Sequence, residues 1–338
     1  MKLRVLVSPT GWFAGCKYTL KPLEAIAEVE FNDAGRPFAE AELVKRIQDV
    51  DGFISAQDVV SADVLKHADK LKVISLFGVG FDNVDIEEAT RRGIVIANTP
   101  GLLGDAVADM TFGLLISTVR KIPQANNMVK SGEWSGDFLT KREAFLSPHL
   151  TGKTLGIIGL GSNGLEVARR AKGFKMRVLY YDSVRKLDAE NDIGVTYAPY
   201  KELLEESDIV TLHAPLTEQT RHMVGETEIS WMKKGAYLIN TSRGGLVDEV
   251  ALIDALKTGK LSGAGLDVLD FEPPPADNPI LKLDNVVITP HIAAYTIHVV
   301  ESVAEKAVAN VKDVLLGKTP EHIVNPGVLT RKRIVRTS

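Results

Sequence analysis

Short apolar runs alternate with segments of helical period from one end of the chain to the other, the pattern of parallel strands covered by helices. The first hundred residues offer strands at 3–7, 29–31, 52–54, 73–77 and 94–97, separated by amphipathic stretches such as 40–48 and 85–92. A second series begins at residue 154, with strands at 154–158, 177–181, 209–212, 236–240, 264–268 and 286–289. The pattern predicts an α/β fold made of two doubly wound parallel sheets, the first of five strands and the second of six. Two longer helical segments, 105–120 and 297–316, stand outside both series. The first follows the breaker Thr99-Pro100-Gly101, which places the main boundary near residue 102.

Composition narrows the class. A chain of 338 residues corresponds to about two domains at roughly 150 residues each. Forty basic against 44 acidic residues leave a formal charge of −4, without the basic excess of a nucleic-acid binder. The single cysteine, Cys16, cannot form an internal disulfide, and a Cys-rich metal cluster is excluded. No apolar run approaches the roughly 18 residues of a membrane span, and residues 1–8 are too short for a signal segment. The expectation is a cytoplasmic, globular protein with a small-molecule substrate, no metal, and neither a nucleic-acid nor a membrane partner. The tail with Arg331-Lys332-Arg333 reads as a solvated terminus.

Gly159-Leu-Gly161-Ser-Asn-Gly164 follows the strand ending at Ile158 and opens a helix reaching about Gly173. In such a sequence the first glycine permits a tight turn. The second lets the backbone approach a pyrophosphate, and the third lets helix pack on strand, with the helix N-terminus facing the phosphates. The next strand ends in Asp182, 18 residues beyond Gly164, where a carboxylate accepts hydrogen bonds from ribose hydroxyls. An acid there opposes a 2′-phosphate and favours NAD over NADP, while nearby Arg185 and Lys186 pull the other way.

In a doubly wound sheet ligands bind beyond the carboxyl ends of the strands. Polar residues gather there: His213, Arg243 and His291 follow strands of the second series, Asp267 sits at the end of 264–268, and Glu272 lies in the loop beyond. Hydride transfer on a hydroxyacid needs a cation for the carboxylate and an acid/base for the hydroxyl proton. Arg243 supplies the bidentate fork, His291 the proton-transfer group, and Glu272 a carboxylate able to orient and charge-stabilise the imidazole.

The stretches GVGFDNVDIEEATRRGI (78–94), NTPGLLGDAVAD (98–109), TLGIIGLGSNG (154–164), HAPLTEQT (213–220), NTSRGGLVDEVAL (240–252), GAGLDVLDFEPP (263–274) and TPHIAAYT (289–296) resemble the D-isomer-specific 2-hydroxyacid dehydrogenases across nearly the whole chain. The resemblance implies that Arg243 binds the substrate carboxylate, with Val79 and Gly80 offering backbone N–H groups. It makes His291 the acid/base, Glu272 its partner, and Asp267 a contact of the nicotinamide carboxamide. Val107, Ser162, Asn163, His213, Pro215, Thr220, Thr241 and Ser242 would line the cofactor. It further implies a flavodoxin-like substrate domain, 1–101 with 296–338, interrupted by a Rossmann NAD-binding domain, 102–295, with the active site in the cleft between them. It also implies a homodimer, for which the 121–150 stretch with Trp134, Phe138 and Phe145 looks like an arm needing a partner surface.

Some positions depart from the family pattern. Ser162-Asn163 stands where many relatives carry Arg-Ile, removing a charged phosphate contact. Ser55 and Leu76 align with basic residues of the phosphoglycerate dehydrogenases, and Val79 with a lysine of phosphite-oxidising relatives, so both substrates are disfavoured. The expectation is a chain without an appended regulatory domain, and parts of 129–134 and 171–181 look like glyoxylate and hydroxypyruvate reductases. Leu76, Phe77 and Trp134 fit either an apolar substrate pocket or core and subunit packing. The leading reading is an NAD-dependent D-2-hydroxyacid dehydrogenase acting as a 2-oxoacid reductase. D-3-phosphoglycerate dehydrogenase and glyoxylate/hydroxypyruvate reductase are specific alternatives, and an NAD-sensing, corepressor-like interaction protein is the alternative of another class.

Overall fold

Five apolar runs pair into the first sheet: β1 (Leu3–Val7), β2 (Ala27–Phe31), β3 (Gly52–Ser55), β4 (Val73–Leu76) and β5 (Val95–Ala97). All pair in parallel, in the order β2-β1-β3-β4-β5 of a flavodoxin-like sheet. Strands β3 and β4 are buried along their whole length, which is why they read as unbroken apolar runs with no alternation. The computed structural model describes residues 2–9, 11, 15–32, 34–134 and 142–330, so Phe138 and Arg331-Lys332-Arg333 lie outside the described residues. The chain divides into two units, Met1–Leu102 with Tyr295–Ser338, and Leu103–Ala294.

The first unit includes the late helix Ile297–Leu315, which packs on β3 and β4. Its buried Val299, Val303, Ala307 and Val311 recur every four residues and Ala304 and Val308 fill in, the stripe a helix needs to cover a sheet. Two buried asparagines fasten the late segment. The Asn310 side-chain amide donates to Ser75 Oγ at 3.3 Å and to the Asn98 carbonyl at 3.2 Å. Asn325 accepts from the Ile96 N–H at 2.8 Å and donates to the Ile94 carbonyl at 2.9 Å and to Thr90 Oγ1 at 3.0 Å.

The second unit is built on β6 (Thr154–Ile158), β7 (Arg177–Tyr181), β8 (Thr196–Tyr197), β9 (Ile209–Leu212), β10 (Ala236–Asn240), β11 (Leu261–Leu266) and β12 (Val286–Ile288). Their order is β12-β11-β10-β9-β6-β7-β8. The sheet therefore has seven strands where the sequence pattern predicts six. The extra strand, β8, is two residues long and exists through pairing with Leu179 and Tyr180, which no apolar run announces. Strand β11 also starts three residues earlier than 264, at Leu261. There Ser262 and Gly263 hide it, because Gly263 sits where a Cβ would fall 2.8 Å from the Asn285 carbonyl.

The helix expected at 105–120 is observed as Gly104–Val119 and lies against both β11 and the helix Ser162–Gly173. Arg170 fastens the helix pair with hydrogen bonds to Asp105 at 2.9 Å and Asp109 at 2.7 Å. Strand order reverses between β6 and β9, which opens a crevice at their carboxyl ends. Among the described residues no helix is long and apolar enough to cross a membrane.

Asn325→Ala should strand the Ile96 N–H and the Ile94 carbonyl together. At about 1–3 kcal/mol for each buried group left unpaired, we expect a clearly lower denaturant midpoint for the transition that reports the first unit. A midpoint equal to that of the parent would show that water replaces this clamp.

Candidate active site

The three glycines after β6 meet three different constraints. Gly159 has φ +91° and a Cβ there would fall 2.7 Å from the backbone of His213 and Ala214, so only glycine turns the chain this closely beside the β9 end. At Gly164 a Cβ would fall 2.2 Å from the Gly159 carbonyl, which fixes how tightly the helix starts on the strand. Gly161 is different: it is exposed, its φ is an ordinary −79°, and a Cβ would meet nothing within 4 Å. The space it leaves open lies at the N-terminus of the 12-residue helix Ser162–Gly173, the position at which backbone N–H groups and the helix dipole attract a phosphate.

Two buried polar atoms border this loop without a hydrogen-bond partner among the described residues, Asn163 Oδ1 within it and His213 Nδ1 on the next strand end. His213 Nε2 is engaged by Thr211 Oγ1 at 3.0 Å. Burial pushes the His213 imidazole down to about 3, so the ring is neutral at ordinary pH. Buried polar atoms are nearly always paired, and a dinucleotide brings hydroxyl and amide groups able to pair these two. Asp182 follows β7. Its Oδ2 accepts from the Leu160 N–H at 2.8 Å, and its Oδ1 from the Val184 N–H at 3.1 Å. The carboxylate is thereby held against the glycine loop with acceptor capacity left for ribose hydroxyls. The donors and acceptors of this loop fit a dinucleotide.

Across the sheet, β10 and β11 end in two buried polar residues. Asn240 donates to the Arg243 carbonyl at 2.8 Å and accepts from the Ser242 N–H at 3.0 Å, which shapes the turn carrying Arg243. Asp267, 1% exposed, accepts from Thr289 Oγ1 at 2.5 Å, from the Ile292 N–H at 2.9 Å and from the Ala293 N–H at 2.7 Å. It thus fastens the loop after β12, and its carbonyl takes the His291 N–H at 2.8 Å. His291 has φ +54°, a left-handed conformation costing a non-glycine residue about 1–3 kcal/mol, and these bonds over-determine it. His291 Nδ1 lies 2.7 Å from Glu272 Oε2, while Glu272 Oε1 accepts from the Leu269 N–H at 3.0 Å. A carboxylate acceptor requires the proton on Nδ1, so Nε2 is the nitrogen left to exchange a proton with a ligand.

Other expected residues are occupied differently. Thr241 Oγ1 pairs with Thr111 Oγ1 at 2.9 Å, Ser242 Oγ donates to the Ala214 carbonyl at 2.6 Å, and Thr220 Oγ1 to that of Pro215 at 2.7 Å. Those hydroxyls hold loops together, and Val107 is buried in its helix. In the first unit, Val79 and Gly80 lie on the loop after β4, pinned by Asn98 Nδ2 on the Val79 carbonyl at 2.9 Å and by the Thr99 N–H on the Gly78 carbonyl at 3.0 Å. Leu76 belongs to that unit's core and Phe77 is 5% exposed, which favours packing over a pocket lining, whereas Trp134 is 65% exposed. Sequence reasoning missed Asn240 and Thr289, because a polar residue ending a strand gives no sign of what it will hold.

The family model described as D-isomer specific 2-hydroxyacid dehydrogenase, NAD binding domain, matches residues 112–293. The chain is 43% identical over 311 residues to a glyoxylate reductase of Korarchaeum cryptofilum, covering 92% of this chain and 93% of that one. It is 44% identical over 313 residues to a glyoxylate reductase of Thermococcus litoralis, covering 92% and 94%. The crystal structure of the TT0316 protein from Thermus thermophilus superposes with a TM-score of 0.84 at 39% identity, covering 95% of this chain and 100% of that one. The two curated relatives are named as enzymes and lend the corepressor-like alternative no support.

The glycine geometry separates two substitutions. Gly161→Ala should melt within a degree or two of the parent, since its Cβ meets no protein atom, yet weaken NADH binding by about tenfold or more by filling the phosphate space. Gly164→Ala should lower the melting temperature itself. Equal melting losses, or unchanged NADH affinity in Gly161→Ala, would contradict these assignments.

Proposed function

The chain belongs to the D-isomer specific 2-hydroxyacid dehydrogenases, and we propose that its Leu103–Ala294 unit carries the dinucleotide and the reacting groups of a 2-oxoacid reductase that favours NADH. The protein is an NAD-dependent oxidoreductase acting on the CH–OH group of D-2-hydroxyacids. The observation that carries the assignment of groups is the His291–Glu272 pair at 2.7 Å, on the same sheet edge as the glycine loop. A bound nicotinamide would supply or accept the hydride at the substrate C2. His291 Nε2 gives the proton to the carbonyl oxygen during reduction and takes it back during oxidation, with Glu272 balancing the imidazolium charge. Arg243 forks the substrate carboxylate. Asp267 holds the His291 loop and retains lone-pair capacity for a carboxamide donor.

Glyoxylate or hydroxypyruvate is the proposed substrate, with phosphoglycerate disfavoured on charge. Ser55 donates to the buried Asp58 at 3.0 Å and Leu76 is core, so neither position offers a cation to a phosphate. Asp182 supports NAD over NADP. A reducing cytoplasm is the compartment assigned, in keeping with the single buried thiol of Cys16.

A panel of glyoxylate, hydroxypyruvate, 3-phosphohydroxypyruvate and phenylpyruvate, each run with NADH and NADPH, tests this reading. We expect the highest kcat/KM for one of the first two with NADH, and equal or better use of NADPH would refute the role of Asp182. His291→Gln should keep NADH binding and lose about 10²–10⁴ in kcat. Arg243→Lys should damage KM and kcat together by losing the fork. Glu272→Gln should lower kcat while leaving NADH affinity nearly unchanged, because the acceptor that orients the His291 ring is weakened. A His291→Gln enzyme reducing its best oxoacid at the parent rate would remove the histidine from the mechanism.

A homodimer is proposed on the surface around the helix Ile122–Lys130, which buries none of its residues and leaves Ile122, Val129 and Trp134 about half or more exposed. Light scattering at micromolar concentration should give about twice 36.8 kDa, and a mass near the monomer value would overturn it.

A further inference from the structure

Two cations follow Asp182, and one of them is tied down. Arg185 sits three residues beyond Asp182, the acid that follows β7. Its Nε donates to Glu190 Oε1 at 2.7 Å and its Nη2 to Glu190 Oε2 at 2.8 Å, a two-point fork. Its Cζ lies 5.6 Å from the centre of the Tyr197 ring. Glu190 stands on the helix Leu187–Ile193 with its side chain only 17% exposed. The carboxylate is anchored from the core: the fully buried Tyr180 donates its hydroxyl to Glu190 Oε1 at 2.8 Å, and the same hydroxyl accepts the Lys186 N–H at 2.7 Å. Tyr197 meets the Tyr180 ring edge-on at 5.5 Å.

An exposed ion pair alone holds little. This one has planar fork geometry, an aromatic face beneath the guanidinium, and a carboxylate whose position a buried phenol fixes. The Arg185 fork, then the Tyr180 hydroxyl, hold the Glu190 carboxyl down at about 2, so the anion persists at every assay pH. A guanidinium released from it could fork a phosphate in two-point geometry.

We propose that Glu190 is a specificity-determining positioning residue: with Tyr180 and Tyr197 it keeps Arg185 committed to its own carboxylate, and so withholds that cation from a ribose 2′-phosphate. The discrimination then has two parts, repulsion from Asp182 and sequestration of Arg185. The inference rests on the assignment of Asp182 to the ribose, and the test reads the two separately.

Adenosine 2′,5′-bisphosphate and AMP differ only in the 2′-phosphate, and calorimetric titration gives the ratio of their dissociation constants without any turnover. Asp182→Ser against the parent reports on the ribose assignment, and an unchanged ratio there would count against that assignment alone. Glu190→Gln is added in the Asp182→Ser background, since glutamine keeps an acceptor for the Tyr180 hydroxyl and removes the charge. We expect the ratio to move toward the bisphosphate by about a further tenfold, with AMP affinity nearly constant, and the gain to shrink with salt. Adding Arg185→Ala should abolish that gain. A structural effect of Glu190 would weaken both ligands alike. No change of the ratio on adding Glu190→Gln, or a gain that survives removal of Arg185, would overturn the proposal.

Discussion

The carboxylate of Asp267 is the contact on which the reacting geometry depends. It sits at the end of β11 with 1% exposure and takes three donors from the segment just after β12. An ionised group so buried is tolerable only when hydrogen bonds replace its hydration. Those bonds fix a loop in which His291 is held at φ +54°, a conformation that a loose loop would abandon. From it the imidazole reaches Glu272, which is itself pinned by the Leu269 N–H. His291 thus owes its orientation to two carboxylates, one holding the residues that flank it in the loop and one on its ring.

The sheet order spreads the chemistry along one edge. Asp182 follows β7, the glycine loop β6, His213 β9, Arg243 β10, Asp267 and Glu272 β11, and His291 β12, and in the sheet these strands stand side by side in that sequence. With neighbouring strands about 4.8 Å apart, the line from β7 to β11 runs for roughly 19 Å. Such a row suits an extended ligand whose ribose, phosphate and reactive ring are recognised at successive strand ends. A ring at the β11 end of such a ligand would fall beside the strand end that precedes His291.

How much of this was legible follows from what each residue had to encode. The glycine loop was readable residue by residue because its reasons are local: a turn at Gly159, a clearance at Gly161 and a helix contact at Gly164 are set by neighbours in the motif or in the next strand. The five residues at strand ends were also legible, since strand ends can be counted along the chain. Strand β8 was not, because two residues of strand exist only through their partner. The resemblance pointed Thr241, Ser242 and Thr220 toward a cofactor. Their hydroxyls are used inside the protein, a matter of rotamer and tertiary approach that no spacing records. The fork between Arg185 and Glu190 belongs to the same class, since its partners lie five residues apart across a strand-to-helix turn.

Asn240 and Asp267 end adjacent strands, and the choice of amide in one and acid in the other follows from what each must face. Around Asn240 stand one acceptor, the Arg243 carbonyl, and one donor, the Ser242 N–H. Only a group with both functions satisfies the pair, and a carboxylate would set an anion against the carbonyl. Around Asp267 stand a hydroxyl and two backbone N–H groups, all able to donate. An amide there would turn its own NH₂ against an N–H and leave that pair unbonded in a buried place, at a cost of about 1–3 kcal/mol. The two clamps also touch, for the Asp267 N–H donates to the Asn240 carbonyl at 2.9 Å. The turn that carries Arg243 and the loop that carries His291 are therefore built from one continuous run of hydrogen bonds, and displacement of either strand end moves both side chains.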